Sequence, residues 1–430
     1  MKLQSWGNYP LIDHKTTLLS DEASLGEFMK SDACFIAYGN GRSYGDSALA
    51  EHLLYTKGYD YFLDFDEDSG VLECTSGVTL EQILDLVVPK GWFLAITPGT
   101  KLITVGGAIA SDIHGKNHHI EGCFSECVES MRVMLASSEV VEVSKDDELF
   151  LATCGGMGLT GVILSAKMRL KKIDSSTIDQ TTIKTKNLKE TFEAFESYKE
   201  YSYSVAWIDA LASGDELGRS LLMVGEFAKS GGLEYKSKTK LSVPFYLPSF
   251  TLNSLSVRAF NYLYYTKAKS GISYSKVSID SFFYPLDAIA NWNKIYGKNG
   301  FTQYQIIVPK EQSYEALSKI LSLIAKSGKG SFLAVLKLHG KANANYLSFP
   351  LEGYSLALDF KIEDDLFALL DELDKVVLEY GGRVYLTKDV RVERESFDAG
   401  YERADLFRSF REANGMREKF NSLQSKRLGL

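Results

Sequence analysis

The sequence predicts an α+β protein of two domains, with the end of the chain assigned back to the first. Length is one reason, since 430 residues exceed a single ordinary domain. A change of texture is the second. Residues 1–178 set glycine-rich loops between short apolar runs, whereas 179–382 alternate strand-like and helix-like stretches, the pattern of helices packed on an antiparallel sheet. The third is the tail, 383–430, where a short strand-like run precedes charged helical sequence.

Composition bounds the class. Hydrophobic residues make up 45% and charged residues 24%, enough for a large core without a disulfide or metal. A net charge of −8 argues against a nucleic-acid binder. It leaves room for a phosphate-bearing cofactor, which local backbone N–H groups hold. Cys34, Cys74, Cys123, Cys127 and Cys154 form no CxxC pair and no zinc-like spacing, so they read as reduced or buried thiols and favour a reducing compartment. The start, MKLQSWGNYPLIDHK, lacks the apolar core of a signal peptide, and no run of about 18 uncharged apolar residues suggests a transmembrane helix. The expectation is a cytoplasmic protein, or one peripheral at the inner membrane.

The elements follow in order. Cys34–Tyr38 reads as a short buried strand, and Gly70–Gly77 as a half-buried one. Thr79–Val88 has helical apolar spacing, a capping Thr, and a stop before Pro89 and Gly91. Val128–Leu135 and Val140–Val143 read as strands about a turn at Ser137–Ser138, and Val162–Leu170 as a further strand. In the second domain, Phe301–Pro309, Phe332–Leu338 and Leu356–Lys361 read as strands. Ser313–Ala325 and Asp364–Tyr380 read as helices, the latter ending at Gly381–Gly382. Val384–Thr387 reads as a strand. From Leu241 to Tyr265 the only charge is Arg258, and two prolines and many aromatics break the periodicity. Two readings stand: a buried irregular excursion, or a mobile lid or lipid-facing surface.

Three loops carry the chemistry. Gly39-Asn-Gly-Arg-Ser-Tyr-Gly-Asp46 follows a strand, and glycines there let backbone amides cradle an anion. A Rossmann site competes, but the third glycine is one residue late for GxGxxG and Tyr44 is bulky where close packing is needed. Thr97–Asn117 mixes Gly, Ala, Ser and Thr, suited to a large flat ligand. Cys154–Gly161 is the third. Three such loops suit a long cofactor laid across several elements better than one dinucleotide turn.

The stretches GRSYGD (41–46), TVGGAIASDIHGKNHH (104–119), DELFLATCGGMGLTGVI (147–163), AWIDA (206–210), FTQYQIIVP (301–309), SFPL (348–351) and YLTKD (385–389) resemble, in order, the FAD-linked oxidases of the vanillyl-alcohol-oxidase fold. More narrowly they resemble the decaprenylphosphoryl-β-D-ribose 2-oxidase branch, through IHGKNHH above all. The resemblance implies a PCMH-type FAD-binding domain over 1–178 and 383–430, and an α+β substrate domain with an antiparallel sheet over 179–382. It assigns FAD contacts to Gly41, Arg42, Ser43, Tyr44, Gly45, Thr100, Thr104, Gly106, Gly107, Ser111, His114, Gly115 and Asn117. Gly158, Thr160, Gly161 and Ile163 would lie along the adenosine side. Many relatives bond the flavin through a histidine of the first loop; Arg42 stands there, so non-covalent FAD is expected.

Catalysis is carried over to Tyr385 and Lys388, with His114 orienting flavin or substrate, and substrate contacts to Lys116, Gln303, Gln305 and Lys337. A lysine near the flavin can position the hydroxyl or, when desolvated, act as base. The branch carries a cysteine in the strand matching Ser355–Asp359, where this chain has Ala357. His118 and His119 are adjacent and point apart, so no metal is expected. The implied reaction is oxidation of a polyprenyl-phosphoryl pentose at its 2-hydroxyl, completed by an NAD(P)H-dependent short-chain reductase partner, with peripheral membrane contact and no nucleic acid. The rivals are an oxidase of a soluble sugar, alditol or aldonolactone, a Rossmann dehydrogenase, and a flavin-binding protein without catalysis.

Overall fold

Short β-branched and aromatic runs of the first 172 residues pair into two sheets in the computed structural model, which describes residues 3–237 and 241–430. Lys15–Leu18, His52–Tyr55 and Ile36–Tyr38 form a parallel sheet with His52–Tyr55 central. Phe62–Asp66, Val71–Thr75, Val162–Lys172, Val128–Met134 and Val140–Ser144 form an antiparallel sheet in that order, and Trp92–Leu94 pairs with the far end of Val162–Lys172. The helix Leu80–Val87 starts at a capping box between Thr79 and Gln82 and buries Leu80, Ile83, Leu84 and Val87.

The strand expected at Cys34–Tyr38 begins only at Ile36, because Phe35 turns aside to bridge Phe420. No helix opens after the Gly39–Asp46 loop; the chain runs through turns into His52–Tyr55. That removes the Rossmann alternative, which needs a helix there.

The second sheet system has eight antiparallel strands, in the order Ile272–Ser278, Thr177–Thr185, Ser220–Phe227, Tyr203–Ile208, Ala334–His339, Gly353–Lys361, Phe301–Pro309 and Arg383–Val384. Successive side chains alternate between faces. Ala206, Ile208, Tyr304, Ile306, Leu336 and Leu356 point to a core shared with helices Leu188–Ser197, Ser313–Ser327 and Leu366–Glu379. Their neighbours Val205, Trp207, Gln303, Gln305, Val335, Lys337 and Ala357 point the other way, into a cavity facing the first domain. A one-residue slip in register would exchange the two sets.

Two expectations change. The strand expected over Val384–Thr387 stops at Val384, and Tyr385–Lys388 is a turn. The Lys388 and Asp389 amides both donate to the Tyr385 carbonyl (3.1 Å each), and the Asp389 carboxylate accepts from the Arg391 and Val392 amides. The stretch 241–265 is not a buried irregular excursion: Ser254–Lys267 is an α-helix with a largely exposed surface.

Of the C-terminal helices, Arg394–Gly400 packs against Leu366–Glu379 and Arg383–Val384, while Ala404–Ala413 and Leu423–Leu428 reach residues of the N-terminal part, Arg411 at Leu159 and the Leu423 amide at the Leu49 carbonyl. Arg427 bridges Asp46 (2.9 Å) and Asp389 (3.0 Å), tying the first glycine loop to the 385–388 turn. Arg411 is fully buried and donates to the carbonyls of Leu159 (3.0 Å) and Phe420, which pins the third glycine loop. Arg411→Leu leaves both carbonyls without their charged donor. We expect a loss of about 3 kcal/mol, read as a lower midpoint in denaturant unfolding.

Candidate active site

A cavity of about 550 Å³ lies between the cavity face of the eight-stranded sheet and the three glycine loops. Its first-domain wall is a trough of small residues. Gly41 has φ +61°, which L-residues rarely adopt, and a Cβ there would overlap the Tyr38 hydroxyl; a Cβ on Gly39 would strike Thr104. Among the described residues, no protein acceptor meets the backbone N–H of Asn40, Gly41, Arg42 or Ser43. The Arg42 Nε is buried and also without a partner, its guanidinium stacked on Trp6 at 4.1 Å. Consecutive unpaired amides beside an arginine are what a pyrophosphate needs. Gly106, Gly107 and Ser111 continue the trough from the helix Val105–Ala110, whose N-cap Thr104 accepts from the Gly107 amide. A flavin dinucleotide fits this donor set: amides at one end, then a floor of glycine and alanine on which flat rings can lie.

The trough is clamped to a roof from the second domain. Thr97 meets the Tyr284 hydroxyl at 2.7 Å, while Thr100 and the Lys101 amide donate to Asp287, each at 2.8 Å. Lys101, 3% exposed, pairs with Asp280 at 2.8 Å and donates to the Tyr235 hydroxyl. Burial pushes the Asp287 carboxyl up, and the donors from Thr100 and Lys101 work against that shift.

The floor carries the titratable groups. Lys388 stands 3.7 Å above the Tyr44 ring. Burial drives its ammonium well down, against the pull of Asp359. Burial likewise drives the Asp359 carboxyl up, opposed by the Gln303 amide at 2.6 Å, by Lys388 and by the Tyr296 hydroxyl. Burial lowers Lys116 to about 7 and Lys337 to about 8. Among the described residues neither has a carboxylate partner; Lys116 donates only to the Phe283 carbonyl at 3.3 Å.

His114 is buried, and desolvation holds it well below the usual imidazole range, so it is neutral. Its Nε2 meets the Gln305 amide at 2.9 Å, its Nδ1 has no partner, and its ring packs against Tyr385 and His339, both 5.0 Å away. Tyr385 donates to the Ser111 carbonyl at 3.0 Å and is kept protonated by burial.

The structure brings nearly every residue singled out from the sequence to this cavity. The three it does not bring are Gly45, Asn117 and Thr160. Gly45 packs on the Asp389 carbonyl, where a Cβ would overlap. Asn117 turns its amide to the Ala95 carbonyl at 2.8 Å, and Thr160 pairs with Thr153 at 2.9 Å. His118 and His119 diverge, toward the Gly340 amide and the Tyr201 carbonyl. Among the described residues no cluster of His, Cys, Asp or Glu could hold a metal. All five cysteines are free and four are buried. Ala357 sits mid-cavity between Gln305 and Val335.

Sequence reading missed Asp359, Asp287 and Trp207. Asp359 had a signal: a lone acid ending the apolar alternation of SLALDF. Trp207 lay within AWIDA. Asp287 had none, since its role comes from a contact 187 positions away.

A family model for an FAD binding domain matches residues 22–144. The decaprenylphosphoryl-β-D-ribose oxidase of Mycolicibacterium smegmatis is 36% identical over 412 residues, covering 92% of this chain and 89% of its own. An uncharacterized protein in the mprA 5′ region of Streptomyces coelicolor is 30% identical over 368 residues, covering 82% of this chain and 100% of its own. An L-gulono-1,4-lactone dehydrogenase of Mycobacterium tuberculosis is 22% identical over 304 residues, 67% of this chain and 65% of its own.

The resemblance places the family's flavin-linking histidine at Arg42, whose guanidinium is no nucleophile, so non-covalent flavin is expected. Acid denaturation should release all the flavin into the supernatant. Yellow colour remaining with the precipitated chain would refute non-covalent binding.

Proposed function

The chain belongs to the family of FAD oxidases that includes decaprenylphosphoryl-β-D-ribose oxidase, and from that premise we propose that it oxidises the 2-hydroxyl of a polyprenyl-phosphoryl pentose to the ketone. The ketone would be the intermediate of an epimerisation that a separate NAD(P)H-dependent short-chain reductase completes. One observation carries the reading: Lys116 and Lys337 face the cavity as cations without carboxylate partners, beside an apolar wall that includes Trp207, Met223, Tyr264 and Phe282. Unpaired desolvated ammoniums want an anion, and a phosphate on an apolar tail supplies both complements.

Oxidising a secondary alcohol removes a hydride and a proton. Bound FAD supplies the hydride acceptor. The backbone amides of Asn40–Ser43 and the Arg42 guanidinium would hold its pyrophosphate. Lys388 is the group that takes the hydroxyl proton, because burial leaves a fraction of its amine neutral near neutral pH. Asp359, fixed by Gln303 and Tyr296, lies on the same side and stabilises the ammonium once formed. Neutral His114, held by Gln305 and Tyr385, can donate or accept a hydrogen bond to the sugar without adding charge.

The sign of the pH dependence follows. The active form of Lys388 is the deprotonated amine, so kcat should rise with pH through its lowered pKa and level off above it, whereas kcat/KM should fall again as Lys116 and Lys337 lose the charges that bind the phosphate. Lys388→Ala should lower kcat by roughly 10²- to 10⁴-fold with flavin content unchanged. Unchanged turnover would assign the base elsewhere.

Anaerobic flavin bleaching against a panel of sugars tests the substrate. Polyprenyl-phosphoryl pentoses should bleach the flavin. Lys116→Ala and Lys337→Ala should each raise KM for them about 10- to 100-fold, the worth of one charge-assisted hydrogen bond. Bleaching by free alditols or aldonolactones alone would assign the enzyme to soluble sugars.

A further inference from the structure

Ten of the eighteen large hydrophobic side chains exposed among the described residues fall within 241–274, so the apolar surface of this protein is concentrated rather than scattered. The helix Ser254–Lys267 is its centre. It is fastened from beneath: Val257 and Asn261 are buried, Asn261 donates to Asp209 at 2.7 Å, and Arg258 donates to the Leu211 carbonyl at 2.9 Å. The opposite face carries Leu255, Ala259, Tyr262 and Leu263 at i, i+4, i+7 and i+8, the spacing of one helical stripe. On an ordinary surface helix that stripe faces the core; here Leu255 is 78% exposed and Leu263 65%. Phe245 and Phe250 extend the patch before the helix, and Ile272 and Tyr274 after it.

Charge narrows the partner. The chain as a whole carries −8, yet residues 241–300 hold six basic and two acidic side chains. Both acids turn inward, Asp280 to Lys101 and Asp287 to Thr100. Lys267, Lys269 and Lys298 are exposed, with no ion pair among the described residues. The patch also runs into the mouth of the cavity. Phe260 and Tyr264 stack at 5.7 Å, Tyr264 borders the cavity, and its ring packs 4.9 Å from Trp207 inside it.

We propose that this helix and its flanks dock the protein on an anionic bilayer, with Leu255, Tyr262 and Leu263 entering the interface and Lys267, Lys269 and Lys298 meeting lipid phosphates, so that the cavity mouth opens against the membrane. Aromatic and leucine side chains flanked by lysines suit the headgroup boundary. The docking deepens the lipid-linked reading of the substrate and rests on it for its purpose: a prenyl chain could pass from bilayer to cavity along one apolar surface.

The test is co-sedimentation of the full-length flavoprotein with vesicles of phosphatidylcholine alone and of phosphatidylcholine with phosphatidylglycerol. Binding is expected to the anionic vesicles and to weaken as salt is raised. Leu255→Glu with Leu263→Glu should lower the partition coefficient roughly tenfold or more. Flavin absorbance and melting temperature should match the wild type, because both side chains lie outside the core. Lys267→Glu with Lys269→Glu, which leaves the apolar stripe intact, should lower binding to anionic vesicles only. Wild-type protein that ignores both vesicles, or a leucine variant that binds like wild type, overturns the proposal. So does a dimer in solution that the leucine variant converts to monomer, since a second copy would then cover the patch. Sugar oxidation is read separately with detergent-solubilised substrate: vesicle binding without turnover would overturn the substrate reading alone, and turnover without vesicle binding the docking alone.

Discussion

Three ammoniums held away from bulk water, only one of them with a carboxylate acting on it, set the terms for this site. Lys116, Lys337 and Lys388 border one cavity, and Asp359 is the acid that reaches Lys388. Each buried charge opposes folding unless something compensates it. Part of the compensation is protonic: burial lowers all three lysines, so the cavity need not carry three full charges at neutral pH. The rest falls to whatever anion enters. In the proposed reaction the same desolvation would make Lys388 a base and Lys116 and Lys337 an anion site; the difference between these roles would be the nearby carboxylate.

Keeping charges dry requires walls that do not yield. The sheet supplies one by the period-two alternation of its strands. Tyr304, Ile306, Leu336 and Leu356 are locked under three helices, which fixes where Gln303, Gln305, Lys337 and Ala357 project on the other side. The glycine loops supply the other wall, held by contacts that span the chain. Lys101 with Asp280 and Thr100 with Asp287 join trough to roof, and Arg427 joins the first loop to the turn bearing Lys388. The shape of the 385–388 turn decides where Lys388 stands. Had the strand continued beyond Val384, Lys388 would have been placed by the pleat of the sheet; the turn around the Tyr385 carbonyl instead sets it over Tyr44.

Local signals made much of this legible. Periodicity placed Phe301–Pro309 and the helices at Leu80, Ser313 and Leu366, because burial of one stripe or face is written in neighbouring residues. The glycine loops were legible for the same reason: a positive φ at Gly41 or a close approach at Gly39 demands glycine wherever it occurs. What local sequence does not encode is the direction of a side chain inside a loop. Asn117 and Thr160 sit in the right segments and face away, one to Ala95 and the other to Thr153. Partners distant in sequence, such as Asp287 for Thr100, leave no local trace. Lys388 is the intermediate case: as a residue after a strand it has the pattern of a surface lysine, and only the fold's closure over it buries it and lowers its pKa.

The helix Ser254–Lys267 shows the same logic inverted. Its inner side obeys the core, with Asn261 reaching Asp209 and Val257 packed beneath. Its outer side presents leucine and tyrosine where water should be. Charge and aromatic content alone could not separate a buried excursion from an exposed one, since both lack charged residues. The deciding property is which side of the helix the anchoring polar residues occupy. Asn261 and Val257 are buried on the inner side, so the stripe of Leu255, Tyr262 and Leu263 on the opposite side points out. The proposed docking would give that outside a partner, and Tyr264, exposed on the helix and packed on Trp207, lies between it and the cavity.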